Sequence, residues 1–132
     1  MSKTLKDYQQ KAVDEIIELF NIYITKTNKH IIMKAPTGSG KTFMMTKFLE
    51  RVSLKYEDEK IAFIWASIGK GELHKQSYES VKKELQGYPD CQLLENSFVS
   101  ANSIISDKQI LFVNWEKLVQ KIKVLVIGKI LL

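Results

Sequence analysis

The sequence predicts an α/β fold in which a parallel sheet, covered by helices on both faces, supports a phosphate-gripping loop. Three observations carry this. Helix-period apolar patterns alternate along the chain with short continuous apolar runs, the mark of βαβ units whose right-handed crossovers build a parallel sheet. The run His30-Ile31-Ile32-Met33-Lys34-Ala35 empties directly into Pro36-Thr37-Gly38-Ser39-Gly40-Lys41-Thr42. From Ala35 onward this reads A-x-x-G-x-G-K-T, the Walker A pattern with alanine in place of the first glycine. A helical apolar face follows at once, so the loop falls at the carboxyl end of a strand, where phosphate ligands bind such sheets.

At 132 residues the chain has the length of one small domain. Lys and Arg number 20 against 15 Asp and Glu, a net charge of +5 that suits a polyanionic partner without requiring one. The single cysteine, Cys91, excludes an internal disulfide framework and reads as a small apolar residue. The segment Met1 to Asp7 lacks the apolar core of a signal peptide, and no apolar run reaches membrane-span length. The expectation is a soluble, cytoplasmic protein with no membrane partner.

Taken in order, apolar residues at Leu5, Tyr8, Ala12, Val13, Ile16, Ile17, Leu19, Phe20, Ile22, Tyr23 and Ile24 recur at three- and four-residue steps, giving a first helix that Thr4 or Asp7 would cap. His30 to Ala35 reads as a first strand, its apolar neighbours side by side because both faces are to be covered. Phe43, Met44, Phe48, Leu49 and Val52 form one face of a helix from Lys41 to Lys55. Glu57-Asp58-Glu59 is a solvated turn and Lys60 to Ala66 a second buried strand. Glu72 to Leu85 follows as a helix with Leu73, Tyr78, Val81 and Leu85 inside. Gly87-Tyr88-Pro89-Asp90 is turn chemistry, Cys91 to Leu94 a short strand, and Ile110 to Val113 the next strand.

The loop residues each have a task. Gly38 and Gly40 can take positive φ and carry no Cβ, so backbone N–H groups from Thr37 through Gly40 turn onto phosphate oxygens. The helix starting at Lys41 adds its unpaired N–H groups and positive dipole end. Lys41, the candidate catalytic residue, reaches the β- and γ-phosphates, and the Thr42 hydroxyl holds Mg²⁺. The loop alone therefore leads to a nucleoside triphosphate with Mg²⁺ as the expected cofactors.

Four sets of residues also resemble one family: the first RecA-like domain of superfamily 2 helicases and translocases, and within it the DEAD/DEAH-type motor of type III and type I restriction enzymes, the Res subunit family. Leu5-Lys6-Asp7-Tyr8-Gln9-x-x-Ala12 is similar to that family's opening L-[RK]-x-Y-Q-x-x-A helix. The phosphate loop has the superfamily's preferred form. Leu73-His74-Lys75-Gln76 resembles the close of motif Ia, and Leu111 to Leu118 resembles the strand-to-helix segment before the DExH box. The resemblance spans residues 5 to 118. It implies a P-loop NTPase fold, ATP as the nucleotide, adenine recognition by Gln9, a nucleic-acid partner with DNA favoured, and modification or specificity subunits of a restriction system. Taken alone, Gln9 reads as an exposed helix glutamine in preference to an adenine contact, although its amide suits the N6 and N7 edge of adenine. Trp65 and Trp115 could stack on bases, although Trp65 lies in a buried strand pattern that favours core packing.

The chain also departs from that family. A P-loop ATPase needs an acid beyond a neighbouring strand for the Mg²⁺ shell and the attacking water. Here Asn114 follows Ile110 to Val113, Gly128-Lys129 follows Val124 to Ile127, and Glu116 is the one carboxylate side chain beyond Asp107. No D-E-x-H box and no second-domain arginine finger occur in these residues. Residues 117–132 carry four lysines and no acid and match nothing expected there. They read as the out-of-frame tail of a longer motor, or else as a genuine final strand. The overall expectation is an incomplete RecA-like domain that binds ATP without hydrolysing it. The alternative is a standalone nucleotide- or nucleic-acid-binding module.

Overall fold

A computed structural model describes residues 4–26, 29–68, 71–94 and 105–116. The expectations for 95–104 and for the tail 117–132 lie outside the described residues. The chain divides into two compact units, Met1–Lys55 and Tyr56–Leu132.

The first unit is a pair of packed helices. Helix α1 spans Asp7–Tyr23 and helix α2 spans Lys41–Lys55. Val13, Ile16 and Phe20 of α1 are buried, as are Met44, Phe48, Leu49 and Val52 of α2, each set at the three- and four-residue spacing that puts it on one helix face. Phe20 and Phe48 meet edge to face, ring centroids 5.8 Å apart, the geometry their quadrupoles favour. At the rim, Arg51 donates to Gln10 Oε1 at 2.9 Å and lies 3.3 Å from Asp14 Oδ1, and Gln10 Nε2 donates to Asp14 at 2.8 Å.

Two expectations for this unit need correcting. The cap of α1 is Lys6 rather than Thr4 or Asp7, because the Gln9 side chain reaches back to accept the Lys6 N–H at 2.9 Å. His30 to Ala35 makes no strand pairing. Its central residue Ile32 is 79% exposed, so this apolar run lacks the cover that a buried parallel strand requires.

Among its described residues, the second unit is a three-stranded parallel sheet with one helix packed on it. Strands β1 (Phe63–Ser67), β2 (Asp90–Leu93) and β3 (Gln109–Asn114) lie in the order β1-β3-β2, with helix α3 (Leu73–Leu85) following β1. Phe63 pairs with Ile110 and Trp65 with Phe112, while on the other side Cys91 pairs with Ile110 and Leu93 with Phe112. In-register residues of parallel strands share a face, so Phe63, Trp65, Cys91, Leu93, Ile110 and Phe112 line one side. Tyr78 sets its ring edge-on to Phe112 at 5.7 Å, which identifies that side as the one α3 covers. Val81 and Leu85 are buried as expected, but Leu73 at the mouth of the helix is 50% exposed and the buried residue there is His74.

The loops at the opposite end of the strands are tied by a charged clasp. Asp107 Oδ1 accepts the Ile61 N–H at 2.7 Å and the Lys108 ammonium at 3.1 Å. Lys108 is buried and also donates through Nζ to the Glu59 carbonyl. The bond from Ile61 and then the Lys108 charge hold the Asp107 carboxyl below its ordinary range.

Candidate functional site

The loop lies between an unpaired segment and a well-formed helix, all within the first unit. Gly38 and Gly40 adopt φ of 84° and 85°, left-handed conformations that cost a side-chain-bearing residue about 1–2 kcal/mol. Between them, Ser39 closes a tight turn, its N–H donating to the Pro36 carbonyl at 3.2 Å and its hydroxyl to the same oxygen at 2.6 Å. The Met44 N–H donates to the Gly40 carbonyl at 2.9 Å. That bond opens the helical ladder, so the N–H groups of Lys41, Thr42 and Phe43 form the first turn and lack intrahelical acceptors. The Lys41 and Thr42 side chains are exposed there. Further along, Thr46 donates its hydroxyl to the Thr42 carbonyl at 2.6 Å, which satisfies a buried side chain within the helix.

Helix α1 grips this turn from behind. Gln9 is only 6% exposed, with Nε2 donating to the Ser39 carbonyl at 2.9 Å and Oε1 accepting from Lys6. Both ends of the amide are engaged inside the protein, leaving one Nε2 hydrogen and one Oε1 lone pair for anything else. The exposed-glutamine reading is thereby excluded. The Tyr8 hydroxyl donates to the same Ser39 oxygen at 2.9 Å. Gly40 sits so close beneath that a Cβ built on it would meet Gln9 Nε2 at 2.5 Å, so the contact between helix and loop requires glycine at this position.

The residues singled out in the sequence thus fall into two groups. Gln9, Thr37, Gly38, Ser39, Gly40, Lys41 and Thr42 share the first unit, with Gln9 bonded directly to the loop. Tyr8 belongs to this set too, but a bond across 31 residues has no local sequence signal beyond its adjacency to Gln9. In the second unit, Trp65 is half-buried and stacked on Phe112 at 5.4 Å, as core packing requires. Trp115 is 45% exposed and Gln76 is exposed. Strand β3 ends on buried Asn114, followed by exposed Glu116. Cys91 is buried, and burial pushes its thiol up to about 11, so it stays protonated and is no nucleophile at neutral pH.

Among the described residues no three His, Cys, Asp or Glu side chains gather to hold a metal ion. No described helix is long and apolar enough to cross a membrane. The donors offered at the loop fit Mg²⁺ bound together with a triphosphate: one hydroxyl and one ammonium at a helix start, beside glycines whose backbone can approach closely.

No curated protein and no solved structure shows significant similarity to the chain. A family profile does match: that of the type III restriction enzyme, res subunit, over residues 2–127, a span that takes in part of the tail that the sequence reading set apart. With the parallel α/β architecture and the phosphate loop in place, this match over nearly the whole chain shows that it belongs to the type III restriction enzyme res subunit family, as the amino-terminal region of an ATP-dependent helicase or restriction motor.

Proposed function

We propose that the chain binds Mg²⁺-ATP at Thr37 to Thr42, as the nucleotide-holding part of a DNA-dependent ATPase or restriction translocase, and does not hydrolyse it alone. The observation that carries the reading is the loop itself: two positive-φ glycines followed immediately by Lys41 and Thr42 on the first turn of α2. The backbone of Gly38, Ser39 and Gly40 wraps the phosphates, and the first-turn N–H groups of α2 receive their oxygens at its positive end. Lys41 neutralises the β- and γ-phosphates, and the Thr42 hydroxyl is the protein ligand to the metal. Mg²⁺, when bound, would be held through the Thr42 hydroxyl and would supply positive charge at the phosphates.

The second half of the proposal rests on the sequence beyond the loop. Position 114, ending β3, is a neutral amide that cannot act as a general base. No D-E-x-H box occurs in the 132 residues, so nothing orients an attacking water. DNA, and the modification or specificity subunits of a restriction system, are the partners that family membership suggests. Nucleotide titration of wild type against Lys41→Ala tests the binding half. Phosphate release with and without duplex DNA tests the other: no turnover is expected in either case, and robust DNA-stimulated release overturns it.

A further inference from the structure

We infer that Tyr8 and Gln9 are positioning residues that fix the Ser39–Gly40 peptide so that the Gly40 N–H faces the bound phosphates, an inference that rests on the phosphate-loop reading above. The Ser39 carbonyl receives two donors from one end of α1, the Tyr8 hydroxyl and Gln9 Nε2, both at 2.9 Å. The Ser39–Gly40 peptide is trans. In a planar trans peptide the C=O and the following N–H point in opposite directions. Drawing the carbonyl onto α1 therefore turns the Gly40 N–H away from α1.

Two further observations support this. The Gly40 N–H has no acceptor among the described residues, so the orientation delivers a free donor rather than satisfying one inside the fold. The peptide is also followed by Gly40 at positive φ, whose lack of Cβ eases rotation of the peptide that precedes it. Without the two donors, the peptide can swing its carbonyl oxygen to the phosphate side, where it repels an anion. Tyr8 and Gln9 hold it the other way before any ligand arrives, which lowers the ordering cost of binding.

The test uses the full chain, labelled with ¹⁵N, as wild type, Tyr8→Phe and Gln9→Leu. Tyr8→Phe keeps the ring and removes only the hydroxyl, so it remains informative if Gln9→Leu folds poorly. The first readout needs no ligand. The Gly40 amide resonance is expected to shift or broaden in both variants, while far-UV circular dichroism stays unchanged for Tyr8→Phe. The second is titration with inorganic tripolyphosphate, ATP and GTP, each with Mg²⁺. Tyr8→Phe should weaken all three by about the same factor, roughly fivefold for the loss of one hydrogen bond. A Gly40 resonance unmoved in both variants overturns the inference, and so does a loss confined to ATP, which would place these residues at the base. A wild type that takes up no tripolyphosphate, with the Gly40 resonance still moving in the variants, refutes the phosphate site and leaves the restraint on the peptide standing.

Discussion

Gly38 and Gly40 look alike in sequence, have nearly the same φ, and should respond very differently to one added methyl group. Alanine at either position pays about 1–2 kcal/mol for a left-handed backbone. At Gly38 a Cβ meets nothing within 4 Å, so that strain is the whole effect. At Gly40 the Cβ lies 2.5 Å from Gln9 Nε2, inside any tolerable contact. Gln9 must move, losing its bond to Ser39 and disturbing the one that caps α1 at Lys6. Each lost bond adds on the order of 0.5–1.5 kcal/mol, so Gly40→Ala should cost about 2–5 kcal/mol and Gly38→Ala about 1–2. Urea unfolding followed at 222 nm resolves such a difference, since it amounts to roughly 1 M in midpoint for a small domain. Repeating both substitutions in a Gln9→Ala background should erase the excess at Gly40, because the obstructing amide is gone. Equal midpoints for the two alanine variants, or an excess that survives Gln9→Ala, would refute the close packing of α1 on the loop.

The same contrast shows what could be read from sequence. Helices α1, α2 and α3 and all three strands were legible because each buries an apolar face whose period is fixed by its own geometry. The loop was legible because Gly, Lys and Thr at that spacing answer to a single chemistry. His30 to Ala35 was not, since an apolar run states what a segment would bury and says nothing about whether neighbours pair with it. Ile32, largely in solvent, is the consequence. The exchange of Leu73 for buried His74 is a one-residue phase error at a helix start, where the period has too few residues to be fixed. Tyr8 on Ser39 and Lys108 on Glu59 join positions 31 and 49 residues apart. Such pairs depend on tertiary approach and leave no local pattern, so a buried lysine in a turn could not be foreseen.

Other substitutions test separate parts of the fold and the site. Phe20→Ala removes a fully buried ring and its edge-to-face contact with Phe48, and should cost about 3–5 kcal/mol in the same urea assay. Asp107 is ionised more readily in the folded chain than in the unfolded one. Its contribution is therefore complete above the ordinary carboxylate range and is lost as pH falls through the lowered folded value. Asp107→Asn should flatten the acid limb of a stability profile as pH falls through and below the ordinary carboxylate range of about 4, and an unchanged slope there would contradict the clasp with Ile61 and Lys108.

The most direct test of the ATP site is calorimetric titration of Mg²⁺-ATP into wild type and Lys41→Ala. Removing one charged donor from the phosphates should cost about 1.5–3 kcal/mol, a loss on the order of ten- to a hundredfold in affinity. Weak binding by the wild type that falls by such a factor in Lys41→Ala is the expected result, whereas identical affinities in the two proteins would contradict a phosphate site at Thr37 to Thr42.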